Sequence, residues 1–402
     1  MKPEKQRGIY SNVDRRTVLK SMLGVAAVSG LPTAFTGLAM PAVSWNSINP
    51  RWYGFNLLEY FSTDPDWMKY FPYKNDGNFK EDDFRWMRDW GFNWVRLPMD
   101  YRFWTDSNDL MKINEKGVEP IDRAIRLGEN YGIHVNISLH RAPGECINDE
   151  ADEKLTGIHV TKEKTSVYRA PATFQAFVHQ WVYFTQRYKS ISNNRLSFNL
   201  VNEPDEKNAK SVDLGRADYV RVAKAAIAAI HAIDPHRLII TDGYPVATKP
   251  IPELFDTGVM QSCHDYVPGQ VTAYGNPWVV RWGTGKQPAP TWPLSDAQGK
   301  IIYDKQMLEA KFRPWGELAK HGIPIHFGEL GCSRHTPADV AHAWYSDTLD
   351  MINELHSGWA LWTFRGPSGI LDTKRPGVQF KDWHGHQLDA TLLHVLQSKM
   401  RV

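Results

Sequence analysis

From about residue 51 onward, short apolar runs alternate with amphipathic helical stretches, and this alternation constrains the fold more than any other feature of the sequence. The candidate strands are residues 52–56, 94–97, 135–139, 196–201, 238–241, 260–263, 325–328 and 359–362. Strands that are separated by helices pair in parallel. Eight parallel strands are the number that closes a barrel. The sequence therefore predicts an α/β fold, a single (β/α)8 TIM barrel with extended loops after its strands.

Helix signals fill the intervals between these runs. Residues 217–233 are rich in Ala and carry one apolar stripe, which indicates an amphipathic helix. Thr336 is followed by a proline and then by an acidic residue, so we expect it to cap a helix that reaches about His356. Another helix is predicted between Asn78 and Gly91, because three acidic residues form its first turn.

The first 40 residues differ from the rest of the chain. Arg15-Arg16 is followed by a hydrophobic residue, Leu and Lys20, and then by an uncharged apolar stretch over residues 21–39. This pattern resembles a twin-arginine export signal. Glycines and a proline interrupt the stretch, which argues against a stable membrane span. We expect residues 1–40 to be a signal peptide and the protein to be exported to the periplasm or the extracellular space.

Charge and cysteine content exclude several classes of function. Residues 1–40 hold six Lys or Arg and two Asp or Glu, so their removal takes the formal net charge from +2 to −2. A near-neutral body without a basic cluster argues against nucleic-acid binding, and we expect no membrane contact beyond export. Cys146, Cys263 and Cys332 are odd in number and widely spaced, which argues against a disulfide framework or a Cys-x-x-Cys metal site. One disulfide after export stays open, without assigned partners.

Polar and aromatic residues stand where the candidate strands end. They are Arg96, His140, Asn202, Glu203, His264, Tyr266, Glu329 and Trp362. Because the carboxyl ends of all strands of a parallel barrel converge on one mouth, we expect these side chains to meet there. A residue at the mouth lies outside the packed interior, so we expect Arg96→Ala to reduce activity and to leave the fold intact.

Glu203 and Glu329 form the chemically decisive pair. Each follows an apolar run, where a carboxylate is unfavourable unless it is hydrogen-bonded, paired or functional. Two carboxylates about 5 Å apart can cleave a glycosidic bond with retention, one attacking the anomeric carbon and the other protonating the leaving oxygen. The charge of one raises the pKa of the other, which keeps the acid protonated near neutrality. Arg96 could hold the nucleophile ionised, and Tyr266 could donate a hydrogen bond to it.

The ordered set of strand-end residues resembles glycoside hydrolase family 5, the large cellulase family within a clan of retaining (β/α)8 barrels. The resemblance covers the body from about Trp52 to the C-terminal helix and implies one catalytic domain over residues 41–402. It implies that Glu203 is the acid/base and Glu329 the nucleophile. It further implies a polysaccharide or oligosaccharide substrate, no cofactor and no metal, and we expect a monomer.

The same resemblance implies roles for the remaining members of the set. Asn202 would hold the 2-hydroxyl of the sugar that is cleaved, and His140 and His264 would line the same subsite. Trp362 would be the aromatic floor of that subsite. In this family the peptide bond after this tryptophan, here Trp362-Thr363, is often cis.

Substrate specificity depends on the loops rather than on the shared residues. The long connection over residues 267–299 carries Trp278, Trp282 and Trp292, which could stack on sugar rings as outer subsites or pack the loop onto the barrel. The stretch from His140 to Gly144 resembles the His-x-Ala-Pro-Gly of the branch that cleaves β-1,3-glucan. The main interpretation is a retaining hydrolase of β-linked polysaccharide, similar to a cellulase or endo-β-glucanase. An exo-acting β-glycosidase, a transglycosylase and a non-catalytic carbohydrate-binding barrel are the alternatives.

The tract His384-Gly385-His386 is the remaining motif that could hold a metal ion. It lies past the last candidate strand, with Asp382 and Asp389 nearby. A bound cation is one interpretation of this composition, and a polar loop is the one that we favour.

Overall fold

Eight parallel strands close into a barrel in the computed structural model, which describes residues 51–63, 78–106, 108–147, 166–206, 209–276 and 288–400. The strands are β1 (Tyr53–Asn56), β2 (Trp94–Asp100), β3 (His134–Arg141), β4 (Leu196–Asn199), β5 (Ile239–Asp242), β6 (Met260–Asp265), β7 (Ile325–Leu330) and β8 (Gly358–Leu361). Each strand pairs with the next one along the chain, and β8 pairs with β1. The predicted (β/α)8 barrel is confirmed, since every candidate run overlaps one barrel strand.

Helices surround the barrel. They are α1 (Glu81–Asp89), α2 (Glu115–Tyr131), α3 (Pro171–Tyr188), α4 (Val212–His231), α5 (Lys305–Lys320), α6 (Ala338–Glu354) and α7 (Ala390–Lys399). The minor helices are Tyr101–Phe103, Pro252–Thr257 and Gly269–Thr272. Three hairpins pair Thr105–Asp106 with Asp109–Ile113, Leu294–Ser295 with Ile301–Tyr303, and Lys381–Trp383 with His386–Leu388. Within the described ranges, none of the helices has the length and apolar character that crossing a membrane requires.

Aromatic rings fill the amino-terminal end of the barrel interior. The ring centroids of Trp52 and Trp94 are 4.5 Å apart, and the His134 ring lies 4.2 Å from Trp52 and 4.8 Å from Trp94. His326 completes the group at 4.9 Å from Trp94. A second and larger apolar core lies between the strands and the helices. The two cores leave the carboxyl ends of the strands free for polar side chains.

Helix starts differ from the sequence predictions. Helix α6 begins at Ala338, and the Thr336 hydroxyl donates to the backbone oxygen of Val271 instead of capping the helix. The predicted Thr336 cap is therefore wrong, because a backbone acceptor after β6 takes its hydroxyl. Helix α4 starts at Val212, before the predicted start at residue 217. Its N-cap is Ser211, whose side chain accepts a hydrogen bond from the Leu214 N–H.

The three cysteines are buried and free. The disulfide that the sequence left open is therefore not formed between any two of them. Burial raises the pKa of Cys332 to about 12, which makes its thiol a poor nucleophile. The Cys332 thiol is therefore not a candidate nucleophile.

The tract that contains two histidines and a glycine forms a turn between short strands. His386 Nδ1 lies 2.8 Å from Asp372 Oδ2 and also faces Arg365. The His384 ring stacks on Trp86 at 5.3 Å. Protein partners therefore account for both imidazoles, as the polar-loop interpretation expects.

Candidate active site

Glu329 reaches the barrel mouth through an irregularity in β7. The pairing of β7 with β6 changes register between Phe327 and Glu329. A Cβ atom at Gly328 would lie 2.6 Å from Ser262 Oγ and 3.3 Å from His264 Nε2, so a side chain at this point would displace Ser262 and crowd the His264 ring. Such irregularities are common beside active sites, where they redirect a side chain. Gly328 therefore leaves room for His264 where β7 turns Glu329 into the mouth.

The Glu329 carboxylate is buried between two donors. Arg96 Nη1 donates to its Oε1, and the Tyr266 hydroxyl donates to its Oε2 at 2.8 Å. The side chain is only 4 % exposed. Both donors hold the carboxylate by short, directed hydrogen bonds. Arg96 and Tyr266 thus make the contacts that the sequence reasoning assigned to them.

Arg96 also holds three asparagines around the site. Its Nε donates to Asn199 Oδ1 at 3.0 Å, its Nη1 to Asn56 Oδ1 at 3.1 Å, and its Nη2 to Asn202 Oδ1 at 2.8 Å. Asn56 and Asn199 were not predicted as site residues, although each is a polar residue that closes an apolar run, as the predicted ones are. Arg96 is itself 1 % exposed, so the expectation that it lies outside the packed interior is wrong.

Glu203 follows β4 and faces the pocket from the other side. Its backbone has a positive φ of 45°, and its N–H donates to Asp242 Oδ2 at 2.9 Å. Its Oε1 lies 2.9 Å from His264 Nδ1, and the side chain is 14 % exposed. Burial raises the pKa of Glu203, and the charges of Glu329 and Asp242 add to this, whereas His264 opposes it. Glu203 is therefore the carboxyl group suited to give a proton.

The two glutamates lie close to each other. A carboxylate oxygen of Glu203, one of Glu329 and a ring nitrogen of His264 lie within 4.8 Å of one another. Among the described residues, these three form the only group of His, Cys, Asp and Glu close enough to share a cation. Arg96 and Tyr266 already occupy the Glu329 carboxylate, so the spacing alone is no argument for a metal.

Asn202 presents an unused hydrogen-bond donor. Its Oδ1 is taken by Arg96, which fixes the orientation of the amide. Its Nδ2 is buried and has no hydrogen-bond partner among the residues that the structure describes. A buried donor without a partner is unfavourable in the free protein, and a substrate hydroxyl can satisfy it.

Aromatic rings form one wall beside the carboxylates. His140 stacks on Trp362 with 5.4 Å between ring centroids, and Phe61 packs edge-on against both. His140 Nδ1 lies 3.9 Å from Glu329 Oε1, so the wall adjoins the carboxylates. Burial lowers the pKa of His140 well below its ordinary value, and the ring is neutral near pH 7. The peptide bond between Trp362 and Thr363 is cis, as the family resemblance implied.

Trp292 contacts helix α6 and a hairpin strand. Its Nε1 donates to Asp347 Oδ2 at 2.9 Å, in the middle of α6, and its ring is 6.5 Å from that of Tyr303. These contacts pack the loop against the helix, which is the alternative considered for it from the sequence. Trp278 and Trp282 lie outside the described residues.

Comparison with known proteins identifies the family. The model of the cellulases, glycosyl hydrolase family 5, matches residues 51–368. The chain belongs to glycosyl hydrolase family 5. It is an O-glycosyl hydrolase similar to cellulases, with the family's barrel.

Relatives of this family 5 enzyme agree with the assignment. Cellodextrinase A of Ruminococcus flavefaciens is 25% identical over 298 residues, which cover 72% of this chain and 80% of the relative. Endoglucanase C of Acetivibrio thermocellus is 21% identical over 306 residues, covering 71% and 83%. A crystal structure described as a glycoside hydrolase is 33% identical, with a TM-score of 0.76 over 88% of this chain and 100% of the other.

Proposed function

We propose that this family 5 enzyme is a retaining β-glycosidase with Glu329 as nucleophile and Glu203 as acid/base. The spacing of the two carboxylates, with oxygens within 4.8 Å, carries this proposal. Retaining enzymes have carboxyl groups about 5 Å apart, whereas inverting enzymes leave about 6.5–9.5 Å for a water molecule. The surroundings separate the roles, because Glu329 is paired with Arg96 and the pKa of Glu203 is raised.

The reaction proceeds in two displacements. In the first, a Glu329 oxygen bonds to the anomeric carbon, the glycosidic bond breaks, and the Glu203 proton passes to the leaving oxygen. In the second, Glu203 takes a proton from water, the water oxygen bonds to the anomeric carbon, and the ester to Glu329 breaks. The free Nδ2 of Asn202 donates to the 2-hydroxyl, and the sugar packs on Trp362.

Product stereochemistry tests the mechanism. With an aryl β-cellobioside, we expect the β-anomer of the sugar product to appear first in proton NMR spectra, before mutarotation. Initial formation of the α-anomer would establish inversion and overturn the proposal.

Azide rescue tests the two roles separately. In Glu203→Ala, the intermediate on Glu329 still forms from an activated aryl glycoside, so azide is expected to give the β-glycosyl azide. In Glu329→Ala, azide takes the place of the nucleophile and is expected to give the α-glycosyl azide. The opposite pair of products would exchange the roles. Glu317→Gln, which changes an exposed glutamate paired with Lys320, is the matched control and should keep full activity.

We propose β-1,4-linked glucan chains as the substrate class. The family model and two relatives, named a cellodextrinase and an endoglucanase, support this proposal. A panel of cellulose, β-1,3-glucan, xyloglucan, mannan, arabinogalactan and aryl glycosides tests it. Preferential turnover of β-1,3-glucan would instead place the enzyme with the β-1,3-glucan-cleaving branch that the stretch from His140 to Gly144 resembles. Chain fragments indicate endo action, release of single sugars indicates an exo enzyme, and longer products from short oligosaccharides indicate a transglycosylase.

We also propose that the enzyme acts outside the cytoplasm as a monomeric catalytic domain of residues 41–402. The support is the leader pattern around Arg15-Arg16, because such signals direct export of folded proteins. Residues 1–50 lie outside the described part of the chain. Light scattering of the purified body would test the monomer.

A further inference from the structure

Asp242 is a buried carboxylate beside the active site to which the two-displacement mechanism gives no role. It is the last residue of β5, and its side chain has no solvent exposure. Its Oδ1 accepts a hydrogen bond from Asn199 Nδ2 at 2.9 Å, and its Oδ2 accepts one from the Glu203 N–H at 2.9 Å. The same Oδ2 lies 3.3 Å from His264 Nε2 and 3.9 Å from Arg96 Nη2. Asp242 can therefore act on the backbone and on the charge of its neighbours.

The backbone contact fixes the conformation of Glu203. Its φ of 45° lies in the left-handed region, which residues other than glycine rarely adopt. The hydrogen bond from the Glu203 N–H to Asp242 holds the peptide that enters this conformation. Asp242 thereby helps to set the direction in which the Glu203 carboxyl group faces the pocket.

His264 links Asp242 to both catalytic glutamates. Its Nδ1 lies 2.9 Å from Glu203 Oε1 and 3.7 Å from Glu329 Oε2, and its Nε2 faces Asp242. Burial acts to lower the pKa of His264, but the charges of Glu329 and Asp242 and the contact with Glu203 outweigh it and raise that pKa. Among the described residues Nε2 makes no hydrogen bond, so Asp242 acts on the ring through its charge.

Other titratable and charged groups face His264 from several strands. They are Glu203 after β4, Asp242 on β5, Glu329 and His326 on β7 and His140 on β3. Burial lowers the pKa of His140 and that of His326, so both rings are neutral near pH 7. Three carboxyl groups therefore set the charge that faces His264, and the Arg96 guanidinium on β2 contacts two of them, Asp242 and Glu329.

We propose that Asp242 is a positioning residue that keeps His264 protonated through both halves of the reaction. This inference rests on the proposed double displacement. When the bond from Glu329 to the anomeric carbon forms and the Glu203 proton leaves with the aglycone, one negative charge passes from Glu329 to Glu203. When water hydrolyses the ester, the charge returns. The His264 imidazolium contacts both carboxylates, so with Asp242 behind it the ring balances the negative charge in either position.

The pH dependence of Asp242→Asn tests this proposal. The variant keeps an oxygen that can accept the Glu203 N–H but removes the charge that faces His264. We expect the basic limb of the kcat/KM profile on an aryl β-cellobioside to move at least one pH unit lower. Since the Asp242 charge also raises the pKa of Glu203, nitrogen NMR of the variant must show a neutral His264 ring at the pH of that limb. A buried group that only supported the fold would lower the yield or stability and leave the limb in place. An unmoved limb in a folded variant would overturn the proposal.

Two controls separate the possible failures. Asp265→Asn removes another buried carboxylate at a strand end, one paired with Lys311, and should leave the limb unmoved. Nitrogen NMR of the wild-type imidazoles reads the charge of His264 directly, with its signals assigned from a His264→Gln spectrum. A doubly protonated ring at pH 7 supports the proposal, and a neutral ring overturns it even if Asp242→Asn does not fold. If the wild-type enzyme turned over none of the glycosides, that result would instead contradict the proposed function.

Discussion

Arg96 shows how one buried side chain organises the site at the scale of single residues. It donates hydrogen bonds to Asn56, Asn199, Asn202 and Glu329, which come from three strands and one loop. Only a planar fork of donors can serve several acceptors in fixed directions. The nucleophile and the amide that faces the 2-hydroxyl are therefore oriented by the same group.

Replacing Arg96 by alanine is expected to impair both stability and activity. The change leaves the buried Glu329 carboxylate without its cation, and breaking such a pair costs about 3–5 kcal/mol. Denaturant unfolding should show this loss of free energy, together with the loss of turnover. A variant as stable as the wild type would show that solvent or Tyr266 replaces the guanidinium.

Arg96→Lys separates charge from geometry. Lysine keeps the positive charge but cannot reach all of the acceptors, so kcat is expected to fall about 100-fold, as a misplacement of about 1 Å can produce. Unfolding measurements should find the lysine variant more stable than Arg96→Ala. Wild-type kcat in Arg96→Lys would mean that charge alone is sufficient.

Glu203 predicts the shape of the pH profile. Because its pKa is raised above the ordinary value of 4.5, the carboxyl group stays protonated to higher pH, and activity is lost as pH rises through that pKa. We expect a bell-shaped profile of kcat/KM whose basic limb disappears in Glu203→Gln when an activated aryl glycoside is used. Persistence of the limb in that variant would assign it to another group.

The strands were predictable at the scale of elements because buried parallel strands read as apolar runs. The ends of the strands were harder to predict, since β3 continues through the polar His140 and Arg141. In the sheet, Arg141 pairs with Asp100 of β2. Asn199 and Asp242 escaped detection because Asn and Asp are also common in loops, and only the closed barrel shows that they face Arg96 or His264. The strand-end pattern thus predicted eight residues that lie together at the barrel mouth, but not the partners that position them.

Trp292 connects a loop to helix α6 rather than to the pocket. Trp292→Phe removes the hydrogen bond to Asp347, so we expect the free energy of unfolding to fall by about 1 kcal/mol. The KM for a soluble β-glucan should stay unchanged, because the indole is held by helix α6 and packs near Tyr303. A raised KM with unchanged stability would restore Trp292 as an outer subsite.

The base of the barrel makes the stability of the whole molecule sensitive to acid. Burial lowers the pKa of His134 and that of His326 from 6.5 to about 3. Between pH 6.5 and about pH 3, the two histidines therefore bind protons in the unfolded chain but not in the folded one. Stability is greatest above pH 6.5 and is expected to fall by about 1.4 kcal/mol per pH unit for each histidine as pH drops towards 3.

Denaturant unfolding at pH 7.5 and pH 5 would measure this dependence. His134→Gln should reduce the change in unfolding free energy between the two pH values by the contribution of one histidine. This holds whatever the substitution does to stability at neutral pH. His321→Gln changes an exposed histidine and serves as the control. Equal pH dependence in all three proteins would show that other groups are responsible.

Export is the remaining prediction for the whole molecule. Residues 1–45 fused to a reporter that folds in the cytoplasm are expected to carry it across the membrane, because a twin-arginine signal exports folded proteins. Replacing Arg15 and Arg16 by lysine should retain the reporter in the cytoplasm. Export of the lysine variant would point to a different route.

The seam between the first and last barrel strands has a practical consequence. Strand β1 pairs with β2 and β8, and Asn56 Nδ2 donates to the backbone oxygens of Gly328 at 3.0 Å and Leu361 at 3.2 Å. Neither end of the barrel sequence can therefore complete the site alone. Two separately expressed pieces of the chain would regain turnover only on reassembly, which makes this barrel a starting point for a split reporter of protein association.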